Sequence, residues 1–179
     1  MVFLERNVYV EKIRLAAHSP LDYSEYSNPL VRELVNCYSH AIGATSIHMG
    51  IRIGELCGKK PIEEKYISTD EIDELFKADM KAIKLECRKI KRGGLEVDKE
   101  DVFNFVRKHD FKDNEFLIMI FAVQNGDLSI RDFHFWRYDK ENGFTEKRFW
   151  NNLVKIENPK FSWPEGILTR FVGVYLMKR

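Results

Sequence analysis

From Leu30 to Gly43 the apolar residues Leu30, Leu34, Val35, Tyr38, Ala41 and Ile42 recur at three- and four-residue intervals, the spacing of one helix face. Pro29 suits a first helical turn and Gly43 suits a stop. The segment reads as one helix, or as a short helix followed by a second that starts near Asn36. A clearer helix covers 68–86. Ser68 or Thr69 caps it, acids fill its first turn, where the helix dipole favours them, and Ile72, Leu75, Phe76, Met80, Ile83 and Leu85 mark its buried side. A short basic segment and a Gly-Gly pair lead to another helix over 99–108, with Asp98 as its cap and Val102, Phe103, Phe105 and Val106 as contacts.

After Glu115 the period changes. EFLIMIFAV, 115–123, has the length and content of a buried strand. QNGD turns the chain into LSIRDFHFWRYD, 128–139, where apolar and polar positions alternate, and KENG turns it again into FTEKRFW, 144–150. FVGVYLMK, 171–178, gives a fourth strand. Residues 2–15 fit a short strand or a helix, 20–29 reads as loop, and 47–61 reads as irregular strand and loop. The fold class expected is α+β: one domain over 1–179, with N-terminal helices (about 29–110) packed on a C-terminal antiparallel meander (about 115–178).

Composition narrows the function classes. The 179 residues are 44% hydrophobic and 32% charged, with a net charge of +1. That is a globular balance with no basic field, so neither nucleic acid nor an anionic membrane is expected as a partner. No apolar run is long enough to cross a bilayer, and the start lacks the pattern of a secretory leader. Three cysteines, Cys37, Cys57 and Cys87, suit reduced thiols in a cytoplasmic setting, with export by another route left open. The 150–167 stretch, with Trp163-Pro164 as a rigid point, reads as a loop over a cleft or as a long connection packed on the sheet.

Two residues carry candidate chemistry. Cysteines mostly pack, but Cys37 has polar neighbours in Asn36, Ser39 and His40. If a helix begins near Asn36, its unpaired amides and dipole would lower the thiol pKa, as a nucleophile needs. On the 128–139 strand, alternation puts Asp132, His134 and Trp136 on one face and Arg131, Phe133 and Phe135 on the other. His134 is thus a candidate base. A third group must accept a hydrogen bond from its second ring nitrogen. Counting back from the KENG turn sets Glu146 roughly level with Arg137 or Trp136, within diagonal reach of His134. Asn151, Asn152 and Asp132 compete for that role, and pairing of Glu146 with Arg137 or Lys147 is the simple alternative. Cys37 and His40, three apart, could start a metal site, but His48, Cys57 and Cys87 supply no matching spacing, so no metal is expected.

The Asn-Cys-Tyr opening over 36–43, the Asp-aromatic-His-Phe-x-Arg strand and the aromatic-Thr-x-Lys strand within 131–147 together resemble the papain-like cysteine hydrolase superfamily, near small bacterial CHAP-type amidases. The resemblance implies a Cys37 nucleophile, a His134 base and an orienting residue from the following strand, with Glu146 in the matching place. It implies amidase or peptidase chemistry through a thioester, on a peptide, amide or protein substrate, without a cofactor. The glutamine that papain sets shortly before its cysteine is absent. The Cys37 amide would give one oxyanion donor, and Asn36, Tyr23 or Tyr26 another. The alternative is a catalytically silent papain-like binding or immunity module.

Overall fold

The structure is a computed structural model that describes residues 3–47, 49–59, 67–94, 99–125, 130–147, 153–159 and 169–179. It is α+β, with five α-helices and an open, antiparallel six-stranded sheet among the described residues. The helices are α1 (Phe3–His18), α2 (Pro29–Leu34), α3 (Cys37–Ile42), α4 (Thr69–Ala82) and α5 (Lys99–Lys108). The strands are β1 (Glu86–Gly94), β2 (Glu115–Gln124), β3 (Ile130–Asp139), β4 (Gly143–Lys147), β5 (Leu153–Lys155) and β6 (Thr169–Lys178), in spatial order β1-β6-β2-β3-β4-β5. No described helix is long and apolar enough to cross a membrane.

The order corrects two expectations. The helical part is not uniform over 29–110, because its basic segment forms β1, paired antiparallel with β6. And the sheet is not a plain meander, since β6 enters between β1 and β2. Helix α1 also extends over the opening segment.

The apolar run of β2 divides between two cores, as alternation requires. Phe116, Ile118, Ile120 and Ala122 join the larger core, with Ile13 of α1, Tyr38, Ala41 and Ile42 of α3, and Ile72, Phe76 and Met80 of α4. Leu117, Met119 and Phe121 face the other way and meet Val102 and Phe103 of α5, Trp136 and Phe144. Helix α4 starts at a reciprocal cap. The Ser68 hydroxyl accepts from the Glu71 amide at 3.1 Å, and the Glu71 carboxylate accepts from the Ser68 amide at 2.8 Å. Strands β3 and β4 form a tight hairpin closed at Gly143, whose φ of 69° is the left-handed value that a side chain resists.

Two short helices replace one long helix over 29–42. Val35 and Asn36 break it with extended backbones. Asn36 then caps α3, accepting the Ser39 amide on Oδ1 at 2.8 Å. Gly43, at φ 79°, ends α3 in the left-handed region.

Candidate active site

Cys37 occupies the first turn of α3, and the segment after Met49 locks that turn in place. The Ser39 hydroxyl donates to the Met49 carbonyl at 2.7 Å and accepts the Ile51 amide at 3.0 Å, while Asn36 Nδ2 donates to the Ile51 carbonyl at 2.7 Å. Asn36 is therefore a structural cap with both ends of its amide engaged. One Nδ2 proton goes to Ile51, so the expected oxyanion role of Asn36 would fall to the other. The tyrosines are engaged too: the Tyr23 hydroxyl donates to Asp139 at 2.7 Å, and the Tyr26 hydroxyl bonds His40 Nδ1.

The sulfur of Cys37 lies along the edge of β3 that faces β4. Among the described residues, pairing of β3 with β4 ends at Trp136–Glu146. Beyond it, the thiol donates to the Phe133 carbonyl at 3.5 Å, and the Phe135 amide points at the sulfur. In an extended strand these two groups flank the residue between them, so the sulfur stands level with His134. The imidazole itself leaves the strand on the side of Phe121 and Trp136, whereas Phe133 and Phe135 turn toward α3. Sulfur and ring thus share one level of β3, the sulfur at its edge and the ring on the face away from α3. No hydrogen bond joins them among the described residues.

On the far side of that edge, Glu146 sits directly across from Trp136 and is 1% exposed. Its Oε2 bonds His134 Nε2 and accepts Trp136 Nε1 at 3.0 Å. The simple alternative for Glu146, an exposed carboxylate paired with Arg137 or Lys147, is not what forms. Arg137 binds Asp139, and Lys147 donates to the Arg32 carbonyl at 2.7 Å. A neutral ring that donates from Nε2 to the Glu146 carboxylate carries its lone pair on Nδ1, the nitrogen a base would use. Asp132 instead accepts the Phe133 amide at 2.7 Å. Asn151 and Asn152 lie outside the described residues, as do His48, Asp98, Trp163 and Pro164.

The expectation of a lowered thiol pKa is corrected. Burial pushes Cys37 up to about 12, and the Asp132 charge adds to the rise. The amides of Tyr38, Cys37 and Phe135 pull the other way without overcoming it. Helix α3 has six residues, too few for a strong dipole, and desolvation of a thiolate outweighs it. Cys87 is likewise raised to about 12 by burial.

His40, singled out as a candidate metal ligand, is wholly buried with both ring nitrogens engaged. Tyr26 holds Nδ1, and Nε2 lies 3.1 Å from Thr145 Oγ1. Burial, then the Arg137 charge, lowers its pKa to about 3, so the ring stays neutral. Among the described residues no group of three or more His, Cys, Asp or Glu is arranged to hold a metal ion. Sequence reading missed the Trp136 contact to Glu146 and the burial of Lys147. Trp136 could have been found, because it shares His134's face and stands opposite Glu146. Comparison with family models, curated proteins and solved structures gave no match to the chain.

Proposed function

We propose that the protein is a papain-like cysteine hydrolase that cleaves an amide bond in a peptide, protein or smaller amide. One observation carries the reading. A buried carboxylate, Glu146, bonds Nε2 of His134, which leaves Nδ1 for a base, and the Cys37 sulfur stands at the strand edge level with the same residue. Catalysis starts from a neutral thiol, since burial holds Cys37 protonated. The thiol turns from the Phe133 carbonyl, its proton passes to His134 Nδ1, and the sulfur bonds the substrate carbonyl carbon. Glu146 stabilises the imidazolium. The proton then goes to the departing amine as the carbon–nitrogen bond breaks, and water attacks the thioester with His134 again as base.

Exposure to p-nitrophenyl acetate, followed by peptide mass mapping, tests this reading. Acetyl is expected on Cys37. His134→Ala should slow its formation by about 10²-fold or more, the range for loss of a general base. Acylation at equal rate in His134→Ala, or acylation of Cys57 and Cys87 as fast as Cys37, sinks the proposal.

A second reading is a papain-like binding module without turnover. It is favoured by the resting thiol, capped by a main-chain carbonyl and raised to about 12. Under this reading Cys37→Ala leaves every biological effect intact and no acyl adduct forms.

A further inference from the structure

The direction of α3 brings a second charged group to Cys37. Its first residue contacts the Phe133 carbonyl, and its Ala41 carbonyl accepts Arg137 Nη1 at 2.8 Å. The helix therefore runs parallel to β3 and antiparallel to β4. His40 of α3 bonds Thr145 of β4. Stepping back from His40 to Cys37 moves about 4.5 Å along the helix, and stepping on from Thr145 to Lys147 moves about 6.8 Å along the strand on the same face. The two steps point the same way, so Lys147 comes alongside Cys37.

Lys147 is an uncommon residue there. Its side chain is 0% exposed, and its ammonium donates to the Arg32 carbonyl near the end of α2. Burial lowers its pKa, and the charge of Cys37 works against that fall, as the placement of the two groups on facing elements requires. The same ammonium opposes protonation of His40, as expected of a cation lying against α3.

We propose that Lys147 is the electrostatic partner of the Cys37 thiolate, a fixed cation on the α3 face that complements His134 on the other side of the strand edge. When the thiol proton passes to His134, Lys147 keeps its own three protons and stabilises the negative sulfur. In a site that excludes water, a fixed charge aimed where charge develops acts strongly. Among the described residues, the other ionisable groups around the sulfur are Asp132 and His134 of β3, with Glu146 of β4 behind the imidazole. His40, on the helix itself, is turned to Tyr26 and Thr145. Asp132 opposes the thiolate, which leaves Lys147 as its permanent cationic neighbour in this set.

This inference rests on Cys37 as the nucleophile, but its test reads ionisation and not turnover, so the two can fail separately. In a Cys57→Ser, Cys87→Ser background, iodoacetamide labelling of Cys37 is followed from pH 7 to 10. Lys147→Met should slow labelling about tenfold across this range, as a rise of about one unit in the thiol pKa would, since one unit is tenfold in thiolate. Lys147→Arg should stay near the parent. An unchanged pH profile in folded Lys147→Met overturns the proposal. Should that variant fail to fold, the unsubstituted lysine gives the answer. The Lys147 ammonium, followed by side-chain NMR from pH 8 to 12, should titrate at lower pH in Cys37→Ala than in the parent, because the thiolate that holds its charge is gone. Signals blind to Cys37 likewise overturn it.

Discussion

His40 and His134 lie on opposite faces of the same sheet, and each is bonded to a residue of β4. His40 has both nitrogens engaged, by Tyr26 and Thr145, in a fully buried setting. His134 has Nε2 on Glu146, and its side chain is 22% exposed. A ring with two partners and no solvent has no proton to exchange, so it serves as a spacer between the Tyr26 segment, α3 and β4. A ring with one carboxylate partner and an accessible edge can accept a proton. The two faces also differ in their ionic groups. On the α3 face, Arg137 and Asp139 form a complete pair, with Tyr23 and Ala41 taking further bonds. On the other face, the Glu146 carboxylate serves His134 and Trp136 together.

The largest effect expected from this contrast is on the α3 face. Arg137→Ala would leave Asp139 buried beside Tyr23 without its guanidinium, and would remove the stack on Phe116 at 3.9 Å. A loss of about 3–5 kcal/mol is expected in urea unfolding, the range for breaking a buried pair. His40→Ala follows at about 2–4 kcal/mol, from a cavity and two stranded partners. His134→Ala should cost about 1–2 kcal/mol while removing acylation. Equal losses for the two histidines would break the comparison.

Glu146→Gln sharpens it further. The substitution keeps the shape and removes the charge that steadies an imidazolium, so acylation should fall about 10- to 100-fold with little change in urea midpoint. A rate equal to the parent would leave Glu146 a structural acceptor only.

The smallest effect is a slope. The folded pKa of His40, about 3, lies below the ordinary value of 6.5. The unfolded chain therefore takes up a proton that the folded one refuses. Stability from this group is complete above about pH 6.5 and is lost as pH falls toward 3, by about 1.4 kcal/mol per unit in mid-range. Asp139 adds a loss at still lower pH. Burial would raise its carboxyl, but Arg137 holds it below the ordinary value, so its contribution goes as pH drops through that lowered pKa. Urea titrations from pH 7 to 4 on the parent and His40→Gln should show the steeper fall in the parent.

Local patterns legible in the chain were those whose physics is local. The cap at Ser68, the faces of α4 and α5, the unbroken apolar run of β2 and the β3–β4 turn all follow from spacing and turn chemistry over a few residues. The register of that turn also fixed Glu146 opposite Trp136, which is why a contact to His134 could be expected at all. The basic stretch that forms β1 carried no strand pattern, because its partner β6 supplies the ladder from far along the chain. Helix α1 was ambiguous for a related reason: its apolar residues are scattered, and packing of Ile13 and Ala17 decides its face.

Sequence by itself thus determined α4, α5, strands β2, β3, β4 and β6, the alternation that gives each of these strands two faces, and the candidate thiol, imidazole and carboxylate. Tertiary structure alone decided how water reaches them. Desolvation depends on what packs around a group from distant segments, so only the fold could turn an expected low thiol pKa into a raised one and bury Lys147 beside Cys37. It likewise set the first turn of α3 against the Phe133 carbonyl of β3.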